Sequence, residues 1–328
     1  MSKKLVVLLT ATLFGGWFFF DKFEISGLQQ IQLKRRPDAA GESQPVTHVS
    51  ASVPPAKSTN SIRIASFNIQ TFGDRKASKS HVMERLAEIV RQFDIVAIQE
   101  IRTKSTDHMA RFIELINQPG RHYDHVTGER LGRTNSKEQY AYVFDRQTIE
   151  VDRNSVYTIY DGNDLLHREP LVAWFRVRGP PPNEAFTFKL VNMHTDPDEA
   201  QEEMNAMDDV YYAVANDRSG EDDIILLGDF NVNYRQIGQL ADVAYIHWVI
   251  SKQATNTRKT KSYDNLFFSS RATTEFMGRG GVLDFLREFN LTESQALEIS
   301  DHLPVWAEFS TFEGGKSGIY ASQPANVR

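Results

Sequence analysis

The sequence predicts an α/β fold in which two packed, mostly antiparallel β-sheets are flanked by helices. Three observations carry the prediction. IILLGDFNVN (224–233) is a near-continuous apolar run ending in polar residues, the signature of a buried strand. Strand patterns and amphipathic helix patterns intermix along the chain. After residue 140, strands follow one another with little helix between them, which fits a doubly wound sheet poorly and two packed sheets well.

The elements follow in order. IRIASFN (62–68) alternates as a half-buried strand. Ser80 is placed to cap a helix whose apolar face is Met83, Leu86, Ile89, Val90 and Phe93. DIVAIQE (94–100) is a buried strand ending in a carboxylate, and Met109, Phe112, Ile113 and Ile116 mark the next helix. YAYVFD, LVAWFRV and FTFKLVNM read as strands, and one long helix is predicted from about Pro197 to Ala215 before IILLGDF. YDNLFF and PVWAEF are the last strands. No repeat appears at solenoid spacing.

Composition bounds the function. The 328 residues are 41% hydrophobic and 24% charged, with mean hydropathy −0.42, enough to bury a substantial core. A net charge of −6 argues against a non-specific polycationic binder of nucleic acid. It does not argue against a nuclease, because bound cations and a basic rim attract phosphate. Without cysteine there are no disulfides and no thiolate ligands, leaving oxygen and imidazole donors suited to magnesium, manganese or calcium.

Lys3 and Lys4 precede an uncharged stretch, Leu5 to Phe20, closed by Asp21 and Lys22. This reads as a signal peptide or a signal anchor over 1–22, placing the remainder outside the cytoplasm, periplasmic or secreted. At about 1.5 Å per residue, the stretch is shorter than the roughly 30 Å hydrocarbon core. Residues 23–60 are a polar, proline-containing linker, 61–312 the catalytic domain, and 313–328 a Gly- and Ser-containing tail. No feature calls for a protein partner, so a monomer is expected.

Chemistry is concentrated where strands meet loops. Asp229 and Asn231 are two residues apart, so on an extended strand their side chains point the same way. Asn68, Glu100, His194, Asp264, Asp301 and His302 each end or flank a strand. Taken singly, each has an ordinary structural role: a turn for Asn68 and Asp264, a salt bridge with Arg102 for Glu100, a helix cap for His194. Their recurrence at strand ends places acid, amide and imidazole groups on one face, a set suited to phosphoester hydrolysis.

SFNIQTFG, DIVAIQEIR, LGRTNSKEQYAYVF, HREPLVAWF, VNMHTDP, LLGDFNVN, SYDNLFF and ISDHLPV, in this order, resemble the deoxyribonuclease I branch of the endonuclease/exonuclease/phosphatase superfamily over about residues 62–310. GDFN and SDH are shared across the superfamily; the FNI-x-TFG, LGR…KE and REP segments are more specific to that branch. The resemblance implies a four-layer α/β sandwich that cleaves DNA phosphodiester bonds with a divalent metal. It implies His194 and His302 as the acid/base pair, oriented by Glu138 and Asp264. Glu100 is then the main Mg2+ or Mn2+ ligand, with Asn68 and Asp301, while Asp229 and Asn231 position water or a phosphate oxygen. Arg102 and Arg168 hold the DNA backbone, and Arg133 enters the minor groove. Asp161, Asp164 and Glu169 match a family calcium loop in outline, with an ordinary acidic turn as the alternative. Ser136 stands where the family has a DNA-stacking tyrosine, Gln70 and Asn265 where it has arginines, and both family disulfides are absent. Arg258, Lys259 and Lys261 restore local positive charge. The main competing function is a phosphodiesterase of the same superfamily acting on a phospholipid or inositol phosphate.

Overall fold

β1 (Ser61–Phe72) is the central organiser, a strand buried on both faces over most of its length. The computed structural model describes residues 60–133 and 137–315; the expected amino-terminal segment and linker, Ser136 and most of the tail lie outside the described residues. After β1 come α1 (Asp74–Ala77), α2 (Ser80–Val90), β2 (Ile95–Ile101), α3 (His108–Asn117), β3 (Tyr123–Thr127) and β4 (Gln139–Asp145). These strands, with β11 (Phe276–Val282) and β12 (Val305–Ser310), form one sheet of order β11-β12-β1-β2-β4-β3. The second sheet is β5 (Ile149–Thr158), β6 (Leu171–Val177), β7 (Thr187–His194), β8 (Ile224–Asp229), β10 (Asp264–Ser269) and β9 (Ile246–Trp248), in that spatial order. Each sheet holds one parallel pair, β1 with β2 and β7 with β8, and every other pairing is antiparallel. This is the predicted α/β sandwich of two mostly antiparallel sheets.

The alternation of β8 shows how the layers are built. Ile225 and Leu227 join the larger core between the sheets, whereas Ile224 and Leu226 join a second core under the outer helices. A strand covered on both faces must be apolar at every position, which is why IILL is continuous. The inter-sheet core is aromatic: Phe175, Phe188, Phe186 and Phe309 form successive stacked pairs that cross from the second sheet to the first. Amphipathic α2 and α3 cover the first sheet, while α4 (Ala200–Met204) and α5 (Met207–Ala215) cover the second.

Two local expectations are corrected. Ser80 is the first residue of α2, not its cap; Lys79 holds that position, and its carbonyl accepts the N–H groups of Val82 and Met83. The long helix predicted from about Pro197 is two short ones. Its first turn is spent in a loop, and at Asn205–Ala206 the chain tightens, with Asn205 N–H donating to both Gln201 and Glu202 carbonyls. Gly238 packs against this break, where even a Cβ would stand 2.4 Å from the Asn205 side chain. Among the described residues, no helix is long and apolar enough to cross a membrane.

Candidate active site

The carboxyl ends of the two parallel strand pairs meet on one face. In the second sheet, His194 lies opposite Asp229 across the parallel β7–β8 ladder, and Asp229 lies opposite Asp264 across the antiparallel β8–β10 ladder. Three chemically active side chains thus stand in a row on adjacent strands. Gly228 permits this approach: a Cβ there would sit 1.9 Å from the Met193 carbonyl oxygen, inside any tolerable contact. β8 ends at Asp229, so the alternation expected to align Asn231 with it does not continue. Asn231 turns into the left-handed region (φ 51°), its N–H donates to Asp229 Oδ1 at 3.1 Å, and its amide donates to the Thr195 carbonyl at 2.9 Å. Asn231 therefore reaches the site through a turn that locks Asp229, not as a neighbour on the strand.

Two buried histidine–carboxylate pairs face each other. His194 Nδ1 lies 2.9 Å from Glu138, and His302 Nδ1 lies 2.9 Å from Asp264 Oδ2. With Nδ1 committed to a carboxylate, each ring presents Nε2 to the centre. Both Nε2 atoms point at Asp229 Oδ2, at 3.6 Å from His194 and 3.5 Å from His302. Burial alone lowers the proton affinity of His194, but the hydrogen bond to Glu138 and the charges of Glu138 and Asp229 outweigh it, leaving the ring above the ordinary histidine range. His302 is treated the same way: burial opposes its charge, and Asp264 and Asp229 raise it well above that range. Glu138 also loses by burial, yet its bond to His194 and the charges of His194, Arg168 and Arg102 hold it below the usual carboxylate range.

The first sheet brings the oxygen donors. Register shifts interrupt β1–β2 between Asn68 and Phe72 and β2–β4 between Ile98 and Ile101. Gln70, Thr71 and Glu100 have φ of 37°, 52° and 62° in these bulges, a strained arrangement for residues with a Cβ. The bulges turn Asn68 and Glu100 toward the other sheet. The Asn68 amide donates to Glu100 at 3.1 Å and to Asp229 Oδ2 at 3.0 Å, joining the halves of the site. Buried Ser300 couples the same halves, donating to the Asn68 carbonyl at 2.7 Å and accepting the His302 N–H at 3.0 Å. Asp301, next in the chain, has a buried Oδ1 without a hydrogen-bond partner. Asp229, Asp264 and His302 also lie within metal-ligand reach of one another. Asp264, however, already accepts from Thr255 at 2.6 Å and bonds His302, so that trio reads as a proton relay.

The arginines have different placements from one another. Arg102 bridges Glu100 at 3.1 Å and Glu138 at 3.4 Å, so the salt bridge open as an alternative for Glu100 is present within the site. Arg168 is only 7% exposed; it contacts Glu138 directly and donates to the His194 carbonyl at 2.8 Å. From there it holds the Glu138–His194 pair, instead of offering a free guanidinium to a DNA backbone. Arg133 pairs with Glu199 at 2.6 Å and Asp164 at 3.1 Å on an exposed loop. The three residues of the expected calcium loop are not gathered into a ligand cluster. Asp161 accepts the N–H groups of Asn163 and Leu166 in its own turn, and Asp164 is held by Arg133.

Some residues of the site carried no readable signal. Tyr140 lies on β4 within a plain apolar run, yet its hydroxyl accepts the His194 N–H at 2.9 Å. Thr255 lies in a polar loop, and its role depends on Asp264 arriving from another strand. Gln99 and Asn192 bond each other at 2.6 Å across the sandwich, and Asn192 also donates to Ile98 and Ala141 carbonyls. Gln99 donates and Asn192 accepts in this bond, which ties the two sheets together beneath the site, while Gln99 Oε1 stays buried without a partner among the described residues.

The pattern of residues 65–302 matches the model of the endonuclease/exonuclease/phosphatase family. The chain belongs to this family. It is a deoxyribonuclease I-like member, a hydrolase. It is 32% identical to deoxyribonuclease-1-like 1 of Cricetulus griseus over 267 residues, covering 78% of this chain and 86% of that protein. It is 32% identical to deoxyribonuclease-1-like 2 of Mus musculus (76% and 92% covered) and 29% identical to deoxyribonuclease gamma of Rattus norvegicus (75% and 83%). Among solved structures, the human Nocturnin catalytic domain superposes with a TM-score of 0.53 at 16% identity, covering 77% of this chain and 94% of that one. A family protein from Bacteroides thetaiotaomicron gives 0.50 at 18% identity, covering 76% and 97%. These structures support the fold of this family member.

Proposed function

We propose that the protein is an exported, divalent-metal-dependent endonuclease that hydrolyses DNA phosphodiester bonds with little sequence preference. The observation that carries the reading is Asp229 Oδ2, one buried oxygen facing the Nε2 atoms of two carboxylate-bound histidines while accepting from Asn68. The relatives named deoxyribonucleases supply DNA as the substrate class, and the uncharged stretch Leu5 to Phe20 behind Lys3 and Lys4 is the reason for reading export.

Two imidazoles around one centre suit in-line displacement at phosphorus. One neutral ring takes a proton from the attacking water as the new P–O bond forms. The other, as imidazolium, gives a proton to the 3′ oxygen as the old P–O bond breaks. Glu138 and Asp264 fix the tautomers, and Asp229 with Asn231 holds the water or a phosphate oxygen between them. Glu100, Asn68 and Asp301 offer oxygen ligands, and Asp301 Oδ1, without a hydrogen bond and 4.0 Å from His302 Nε2, fits a hard cation such as Mg2+ or Mn2+. When bound, such an ion supplies charge stabilisation to the phosphorane-like transition state. Arg102, paired with both Glu100 and Glu138, offsets the repulsion between these acids and lies 29% exposed, within reach of an incoming phosphate.

The test is relaxation of supercoiled plasmid by the whole chain with magnesium, with magnesium plus calcium, and with chelator. Nicked circles that vanish with chelator and in His302→Ala support the reading. Intact plasmid in every lane, with phosphate release from a phospholipid or inositol phosphate, replaces it by the competing substrate class.

A further inference from the structure

The end of the sandwich opposite the catalytic face holds a second concentration of charge. Asp223 precedes β8, Glu275 precedes β11, and Glu313 follows β12. At about 3.3 Å per residue, the length of β8 separates Asp223 from Asp229 by roughly 20 Å. The two sheets are tied at this end by the bridge between Ala185 and Phe312 and by Thr187 N–H donating to Glu313 at 3.2 Å.

A carboxylate oxygen from each of Asp223, Glu275 and Glu313 lies within 4.8 Å of the others. Asp223 and Glu275 are each 1% exposed, while Glu313 opens to solvent. No Lys or Arg among the described residues forms an ion pair with any of them. Lys189, whose backbone N–H donates to the Asp223 carbonyl, sends its ammonium to Asp217 at 2.6 Å instead. Asp223 Oδ1 and Glu275 Oε2 are buried without hydrogen-bond partners. An independent group adjoins them: the Thr273 hydroxyl, 1% exposed, is directed at the Asp223 carboxylate and has no other partner among the described residues. Buried acceptors left this way are costly unless something unseen satisfies them.

We propose that Asp223, Glu275 and Glu313, with the Thr273 hydroxyl, form a calcium site that clamps the ends of the two sheets together, remote from catalysis. Calcium takes 6–8 oxygens at about 2.3–2.6 Å, so two oxygens on one ion lie no more than about 5 Å apart, in accord with the observed spacing. The donor set contains neither imidazole nor thiolate, and the exposed Glu313 leaves an entry path and room for water ligands. Burial and the mutual repulsion of the acids push the Asp223 carboxyl up to about 10. A divalent ion removes that repulsion, and so does a shared proton; the experiment separates the two.

Whole chain freed of metal by chelator is melted at pH 7.5 with and without calcium, and titrated with Tb3+ under tryptophan excitation. Trp174 donates to Glu221 at 2.9 Å, two residues from Asp223, and serves as the sensitiser. Calcium at about one hundred times Kd is expected to raise Tm by roughly 5–10 °C. The same rise is expected in Glu100→Gln, which removes the catalytic-face acid. Asp223→Asn with Glu275→Gln should melt no lower than wild type in chelator, since repulsion is relieved, and should lose both the calcium shift and the sensitised emission. Should that pair fail to fold, Glu313→Gln at the rim is expected to weaken calcium at least tenfold. A calcium shift retained in Glu313→Gln and in the double variant overturns the proposal. So does a wild type that shows neither shift nor emission, which assigns the cluster to a shared proton.

Discussion

Asp264→Asn isolates the charge that one carboxylate lends to one histidine. The substitution preserves shape: an amide oxygen at the Oδ2 position still accepts from Thr255, now at 2.6 Å, and from His302 Nδ1, now at 2.9 Å. What disappears is a unit negative charge beside the imidazolium. At an effective dielectric of about 20, unit charges separated by that 2.9 Å attract by roughly 6 kcal/mol. Asp229 remains 3.5 Å from Nε2 and keeps part of the stabilisation, and burial of the ring opposes the charge throughout. A drop in the His302 titration midpoint is therefore expected, because the largest charge that raises it is removed. Imidazole 15N NMR against pH reads this directly. Plasmid cleavage should fall about 10²- to 10⁴-fold, the usual worth of a positioned acid or base. An unchanged His302 titration, with an unchanged pH–rate profile, would refute the coupling of Asp264 to His302 and with it the acid/base assignment.

Four further outcomes follow from the same geometry. Glu138→Gln strips the nearest counter-charge from Arg168, which is 7% exposed and whose other ion pair, with Asp196, is longer at 3.7 Å; urea unfolding should show a loss of about 3–5 kcal/mol, and an unaltered midpoint would contradict a buried pair. Gly228→Ala should cost at least 100-fold in cleavage, because a Cβ 1.9 Å from the Met193 carbonyl must part β7 from β8 and misplace Asp229; normal turnover would show that the ladder yields freely. The stability contributed by His302, raised in the folded state, is complete below its unfolded value of about 6.5 and declines as pH rises through the higher folded value. The difference between wild type and His302→Gln should thus shrink above neutrality, and a difference that grows there reverses the sign of the argument. Glu100→Gln should raise the magnesium concentration needed for half-maximal cleavage by at least tenfold, and an unchanged requirement would move the cation elsewhere.

Patterns local to the chain were enough to predict the sandwich. Continuous apolar runs such as IILL fit strands covered on both faces, and strands that follow one another with little helix between them after residue 140 fit a doubly wound sheet poorly. The site face was legible for a related reason: a polar residue terminating an apolar strand is unusual enough to be noticed, as with Glu100, His194 and Asp229. The family motifs then suggested partners for the histidines, and Glu138 and Asp264 do contact His194 and His302.

Sequence by itself determined which elements form, because burial imposes a period on the residues that undergo it. It determined also that acids, amides and imidazoles gather at one end of the strands. Only the tertiary structure decided what each group touches. It turned Asn231 through a left-handed residue, buried Arg168 behind the Glu138–His194 pair, and drew Tyr140, Thr255 and Ser300 into the site through contacts that no local pattern announces. It also brought Asp223, Glu275 and Glu313 together from three distant strand ends. The reason is physical. Periodicity reports the average environment of a face, whereas a hydrogen bond depends on ångström-scale separations between segments far apart in the chain, and those are fixed only when the two sheets pack.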